Sequence, residues 1–210
     1  MKLYHSTSSP NSRRVRMFIA EKGISVPLQE VDLGKKEQFS DWFTAINPRQ
    51  QVPSLVLDDG TTVAEVLAIW RFLEEAYPGR PLLGHEPTSK ALVTMWERRA
   101  ELDGFAPTME GVRNAAVGLK GRALSGPHDY DQISGLVERS KRRVADFYAD
   151  FDARLEEAPF VAGASFSAAD ITTLVTIDFA TAALKVPVPT DFRGLRRWYE
   201  IVAKRPSASA

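Results

Sequence analysis

The sequence predicts an α/β domain followed by an all-helical domain, and three observations carry this expectation. Up to Tyr77, short β-prone runs alternate with segments of helical periodicity in the order β-α-β-α-β-β-α. The run Pro78-Gly79-Arg80-Pro81 then interrupts any regular element. Beyond it, the apolar residues keep helical spacing only. The expected division is residues 1–78 for the α/β domain, 79–88 for a linker and 89–210 for the helical domain.

Lys2 to Tyr4 begins the first strand, and Val15, Met17, Phe18 and Ile19 mark a helix that Gly23 stops. Val26 to Val31 reads as a strand, and Lys35 to Ile46 as one helix, ended by Asn47-Pro48 because proline disfavours a helical predecessor. Ser54 to Leu57 and Thr61 to Val63 flank Asp58-Asp59-Gly60, the turn chemistry of a β-hairpin. Glu65 to Tyr77 closes the domain as a helix. In the second domain Ile133, Leu136, Val137, Val144, Phe147, Phe151 and Leu155 lie along one face of a long helix. Gly104 and Pro107 predict a bend or break in the helix before it.

Acidic and basic residues balance at 27 each, so no overall field draws the 210-residue chain to nucleic acid or to an anionic membrane. Arg98-Arg99, Lys141-Arg142-Arg143 and Arg196-Arg197 read as solvated helix faces or dimer salt bridges. Cysteine is absent, which excludes disulfides, thiolate zinc sites and an enzyme thiolate as nucleophile, and no metal is expected. The start Met-Lys-Leu-Tyr-His has no apolar stretch of signal-peptide length, and no segment approaches the roughly 20 apolar residues of a membrane span. The expected location is cytoplasmic.

Pro53 stands where a strand should begin and supplies no donor to a ladder. If the Val52-Pro53 bond is cis, the backbone N–H and C=O of Val52 are open to pair with an extended peptide. The plainer reading is a proline at a loop end. Three stretches decide between them: Asn47-Pro48-Arg49-Gln50-Gln51-Val52-Pro53, the earlier Ser9-Pro10-Asn11-Ser12-Arg13-Arg14-Val15, and Glu65 at a helix start. Together they resemble the N-terminal domain of cytosolic glutathione transferases. Phe160-Val161-Ala162-Gly163 followed by Phe166-Ser167-Ala168-Ala169-Asp170-Ile171 is similar to that family's motif in its helical domain. The likeness extends over nearly the whole chain and points to a bacterial, serine-type member near the phi, zeta and Ure2-like branches. It implies a thioredoxin-like first domain with a cis-proline, glutathione as co-substrate, and a homodimer.

By that resemblance Ser9 is the thiol-activating residue, with Asn11 as the alternative. Ionising half of a thiol of pKa about 8.5 at neutral pH requires about 2 kcal/mol. A hydroxyl donating to the thiolate contributes about 1.5 to 3 kcal/mol, and a helix N-terminus about 0.3 to 1. No base is then needed. The structural reading of Ser9 is an N-cap with Pro10 at the first helical position, and both readings are compatible. A serine nucleophile is disfavoured, since the three histidines lie far apart in sequence and no Gly-x-Ser-x-Gly elbow is present.

For glutathione the resemblance implies Gln38, Gln51, Val52, Pro53, Glu65 and Val66. Glu65 would face the γ-glutamyl ammonium and Gln51 the glycyl carboxylate. Two positions depart from the family pattern: Val66 replaces the usual serine and offers only its N–H, and Gln50 stands where glycine is usual. Ser167 and Asp170 form a capping box, a stability device rather than a catalytic one. Tyr4, Trp96, Phe105, Met109 and Phe166 are the candidates for a second, hydrophobic electrophile, although most such residues are core. The leading expectation is a glutathione transferase that directs the thiolate at an electrophilic or hydroperoxide substrate in detoxification. The alternatives are a maleylacetoacetate-isomerase-like enzyme and a non-catalytic interaction or regulatory module of the same fold.

Overall fold

The computed structural model describes residues 1–210. Two compact units emerge: Met1–Pro81 with the short pieces Ser125–His128 and Ser209–Ala210, and Leu82–Leu124 with Asp129–Ala208.

In the first unit the chain runs β1 (Lys2–His5), α1 (Pro10–Lys22), β2 (Leu28–Glu30), α2 (Asp41–Ile46), β3 (Ser54–Val56), β4 (Thr62–Ala64) and α3 (Val66–Ala76). The sheet order is β2-β1-β3-β4. β1 pairs parallel with β2 and antiparallel with β3, which pairs antiparallel with β4. This is the thioredoxin-like arrangement. Side chains alternate across a strand, so Leu3 and Tyr4 serve opposite faces. Tyr4 joins Val31, Phe43 and Val52 in a cluster under α2. α1 and α3 meet where Phe18 stacks on Trp70 at 5.3 Å, with the Arg14 guanidinium 5.2 Å from the same indole.

The helix expected from Lys35 to Ile46 is divided. A 3₁₀ turn over Glu37–Phe39 is followed by Ser40 in extended conformation, whose Oγ accepts from the Phe43 N–H and caps α2. That local bond competes with continuous helix. The second strand is shorter than expected, because β1 supplies partners only from Leu3 to His5. Glu65 lies outside α3 and caps it with φ 72°.

The second unit holds α4 (Pro87–Arg99), α5 (Ala106–Ala115), α6 (Ser134–Glu157), α7 (Ala168–Phe179) and α8 (Arg193–Val202). α4 passes into α5 through a π-helical turn over Ala100–Phe105, so the expected bend is a widened turn rather than a break. Pro107 explains the widening, since it has no N–H to continue the ladder. Gly104 explains its tightness: a Cβ there would meet the Phe147 ring at 2.8 Å. On α6 the apolar face is buried at Val144, Phe147, Phe151 and Leu155, whereas Ile133 precedes the helix and is 58% exposed.

Asp170 ties the unit together. Its Oδ1 accepts from the Val161 N–H and the Trp198 indole, and its Oδ2 from the N–H and hydroxyl of Ser167. The expected capping box is present, and α8 is bonded to it as well. Burial pushes the Asp170 carboxyl up to about 6, against the opposing pull of its four donors. No helix is long and apolar enough to cross a membrane.

Candidate active site

Ser9 closes the loop between β1 and α1. Its backbone is extended (φ −90°, ψ 121°), its Oγ accepts from the Ser12 N–H at 3.2 Å, and Pro10 opens the helix. The cap reading therefore holds. Accepting that bond occupies only a lone pair, and the hydroxyl hydrogen has no acceptor within the chain. Ser9 is thus a donor held at the N-terminus of a 13-residue helix, where the backbone dipole favours an anion. Asn11 sits in the first turn of that helix, with its side-chain oxygen accepting from Arg14 at 3.1 Å.

Asn47 shapes the turn after α2. Its Nδ2 donates to the Gln51 carbonyl and to Ser54 Oγ, and its Oδ1 accepts from the Arg49 N–H. Gln50 adopts φ 56°, the left-handed conformation that glycine takes most readily. The Val52-Pro53 bond is cis. Neither the N–H nor the C=O of Val52 is bonded within the chain, so both are open to an extended ligand.

The side-chain amide of Gln51 donates to Ser125 Oγ at 3.0 Å. Sequence reasoning missed Ser125. The only local signal was the turn-forming run Ser125-Gly126-Pro127, which says nothing about its partner.

Glu65 has φ 72° and ψ 131°, a sparsely populated conformation for a residue with a side chain. Such strain is often kept at ligand clamps. Its carboxylate is exposed and takes no bond within the chain. Val66 is buried and offers its N–H. Gln38, in the 3₁₀ turn, is 5% exposed, and its Oε1 has no donor. A buried acceptor without a partner costs free energy unless a ligand supplies a donor.

The candidates for the second substrate are distributed differently. Tyr4 packs on Trp42 and Phe43 with ring centroids 6.3 and 6.4 Å away, as part of the first unit's core. In the second unit Phe105 is buried beside Phe179. Trp96 meets Phe151 edge-on and has the guanidinium groups of Arg99 and Arg154 each 4.8 Å from its ring. Phe166 contacts Phe160 and lies 4.0 Å from Arg205. Met109 is half-buried on α5. A cavity of about 390 Å³ in the second unit is lined by Ile177, Thr181, Val188 and Tyr199 among others, and by none of these candidates.

Comparison with known proteins agrees with this geometry. The family model for the glutathione S-transferase N-terminal domain matches residues 3–81, and that for the C-terminal domain residues 134–200. Glutathione S-transferase 2 of Saccharomyces cerevisiae is 38% identical over 213 residues, covering 99% of this chain and 87% of the relative. Maleylacetoacetate isomerase of Rattus norvegicus is 41% identical over 95 residues, 44% of each chain. Among solved structures, a glutathione S-transferase domain-containing protein of Marinobacter aquaeolei VT8 superposes with a TM-score of 0.90 at 33% identity over 99% of both chains. Gtt2 of Saccharomyces cerevisiae gives 0.89 at 35% identity over 99% of this chain and 98% of that one.

Proposed function

Because the chain belongs to the glutathione S-transferase family and acts as a glutathione transferase, we propose that Ser9 is the residue that ionises the glutathione thiol. One observation carries this reading: Ser9 holds a hydroxyl hydrogen without an acceptor at a helix N-terminus. The thiol proton passes to water, and the hydroxyl and helix end stabilise the sulfur anion left behind. With an electrophilic carbon, the sulfur electron pair forms the S–C bond while the leaving group departs with its own pair. With a hydroperoxide, sulfur attacks oxygen as the O–O bond breaks, the alcohol takes a proton, and a second glutathione completes the reduction.

The tripeptide pairs with the N–H and C=O of Val52 beside Pro53. Glu65 faces the γ-glutamyl ammonium, the Val66 N–H its carboxylate, and Gln51 the glycyl carboxylate, while Gln38 accepts a donor from the ligand. Tyr4, Trp96, Met109 and Phe166 are half-buried, which supports them as contacts for a hydrophobic electrophile, whereas Phe105 is buried. The working unit is a cytoplasmic homodimer acting in detoxification. Similarity to maleylacetoacetate isomerases covers less than half of the chain, so the isomerase reading has the weaker support.

The test compares wild type with Ser9→Ala in conjugating glutathione to 1-chloro-2,4-dinitrobenzene, alongside thermal unfolding with added glutathione. Ligand at a hundred times Kd should add about 2.7 kcal/mol of stability. A thermal shift without activity across several electrophiles would identify a binding module instead. Activity undiminished in Ser9→Ala would reject Ser9.

A further inference from the structure

From the bonds converging on the loop between β1 and α1, we infer that Glu30 is a positioning residue for thiol activation: its carboxylate fixes Ser6 and Thr7, and through them Ser9. The inference rests on the Ser9 reading. Glu30 ends β2 and pairs in register with His5, the last residue of β1. Its Oε1 accepts from the Ser6 hydroxyl at 3.1 Å, the Thr7 N–H at 3.0 Å and the Thr7 hydroxyl at 3.2 Å. Its Oε2 accepts from the Thr7 N–H at 3.2 Å and lies 3.5 Å from His5 Nδ1.

The loop is gripped from the helix side as well. Ser12 Oγ accepts from the Ser6 N–H, and Arg16 donates to the Ser6 carbonyl at 3.0 Å. That same carbonyl accepts from the Ser9 N–H at 3.1 Å. Ser6 is therefore bonded at N–H, hydroxyl and carbonyl, and its carbonyl holds the backbone of Ser9. Ser8 is drawn in through its hydroxyl, 3.1 Å from that of Ser6. Two bonds connect the Glu30 carboxylate to the activating residue.

Packing alone does not require this arrangement. β2 is an edge strand, all three of its residues are exposed, and the Glu30 side chain keeps 42% of its surface in water. Removing the side chain opens no core cavity. It releases a loop whose last residue must hold a hydroxyl at hydrogen-bond distance from a sulfur, a geometry that small displacements degrade. The charges near the loop include the partly exposed Glu30 carboxylate, the buried Arg16, and Arg13 in the first turn of α1; burial and then Arg16 hold the His5 imidazole below its ordinary value, against Glu30. Glu30 as a bare charge would disfavour a thiolate, whereas Glu30 as a clamp favours one. The two effects have opposite signs and can be separated.

The experiment measures the pKa of bound glutathione from its ultraviolet thiolate absorbance against pH, with the glutathione Kd, in wild type, Glu30→Ala and Glu30→Gln. Glutamine keeps an accepting oxygen toward Ser6 and Thr7 without the charge. The inference expects a raised thiol pKa in Glu30→Ala, kcat lower by about tenfold below that pKa, an unchanged Kd at pH low enough that the bound thiol stays protonated, and recovery in Glu30→Gln. An unshifted pKa in Glu30→Ala overturns it, as does a lowered pKa in both variants, the signature of a field effect. Should Glu30→Ala fail to fold, Thr7→Val removes one hydroxyl donor and is read the same way, with an unshifted pKa again overturning the inference. If wild type forms no thiolate on binding, the Ser9 reading fails with it, a result distinguishable from a Glu30 effect confined to the variants.

Discussion

Asp170 in α7 and Trp198 in α8 are joined by a buried hydrogen bond of 2.8 Å from the indole N–H to the carboxylate. The same carboxylate accepts from Val161 and Ser167, so one side chain fastens a loop, a helix start and the last long helix.

The Asp170 carboxyl binds its proton more tightly folded than unfolded, with a folded pKa of about 6 against an ordinary value of 3.8. Between those values the native state holds more protons, so this group's contribution to stability falls as pH rises from about 4 to about 6 and is level outside that window. Urea midpoints of wild type and Asp170→Asn across this range should differ in slope. The substitution itself should cost about 2 to 4 kcal/mol, because an amide NH₂ would face donors that need an acceptor.

Ser9→Ala should lose two things that separate experimentally. Loss of the cap lowers stability by about 0.5 to 2 kcal/mol. Loss of the donor lowers kcat/KM by roughly 10- to 150-fold at neutral pH, the equivalent of about 1.5 to 3 kcal/mol. The kinetic deficit should shrink well above pH 8.5, where glutathione ionises unaided, while the stability deficit persists. Ser9→Thr, which also caps, should restore most of the stability.

Gln50→Gly relieves a left-handed residue whose strain is worth about 1 to 2 kcal/mol and adds unfolded-state entropy of about 0.5 to 1. The weak contact of Gln50 with Thr44 at 3.4 Å is lost as well. The net should be a gain of up to about 1 kcal/mol, read as a higher thermal midpoint with the kinetics unchanged.

Gly104→Ala places a methyl against the Phe147 ring inside the π-helical turn. Overpacking of this kind costs about 1 to 3 kcal/mol. Denaturant unfolding should show a lower midpoint at unchanged slope.

Much of the fold is legible because its signals are local. Ser9-Pro10, Gly23 and the Ser167 to Asp170 box declare helix ends through bonds within a few residues, and all are found. The break at Ser40 is hidden because every residue from Lys35 to Ile46 tolerates helix, whereas Lys36 turns left-handed and the Ser40 hydroxyl bonds to Glu37 and Phe43. Tyr4 illustrates strand parity: a shift of one residue decides whether an aromatic faces α2 or the opposite face of the sheet. For the site, motif positions such as Ser9, Val52 and Glu65 can be read in order along the chain. Ser125 cannot, since its relation to Gln51 spans 74 positions and depends on how a loop folds back. The grip of Glu30 on Ser6 and Thr7 is hidden for the same reason, its parallel strand pairing being non-local.

The open N–H and C=O of Val52 belong to the main chain, and no substitution at that position other than proline deletes either of them. On the proposed pairing, recognition written in backbone atoms is shielded from sequence drift around Val52. It also sets a rule for inhibitors. A glutathione analogue that keeps every side chain but replaces the cysteinyl amide with an ester or N-methyl group should lose binding that no mutation at Val52 can recover.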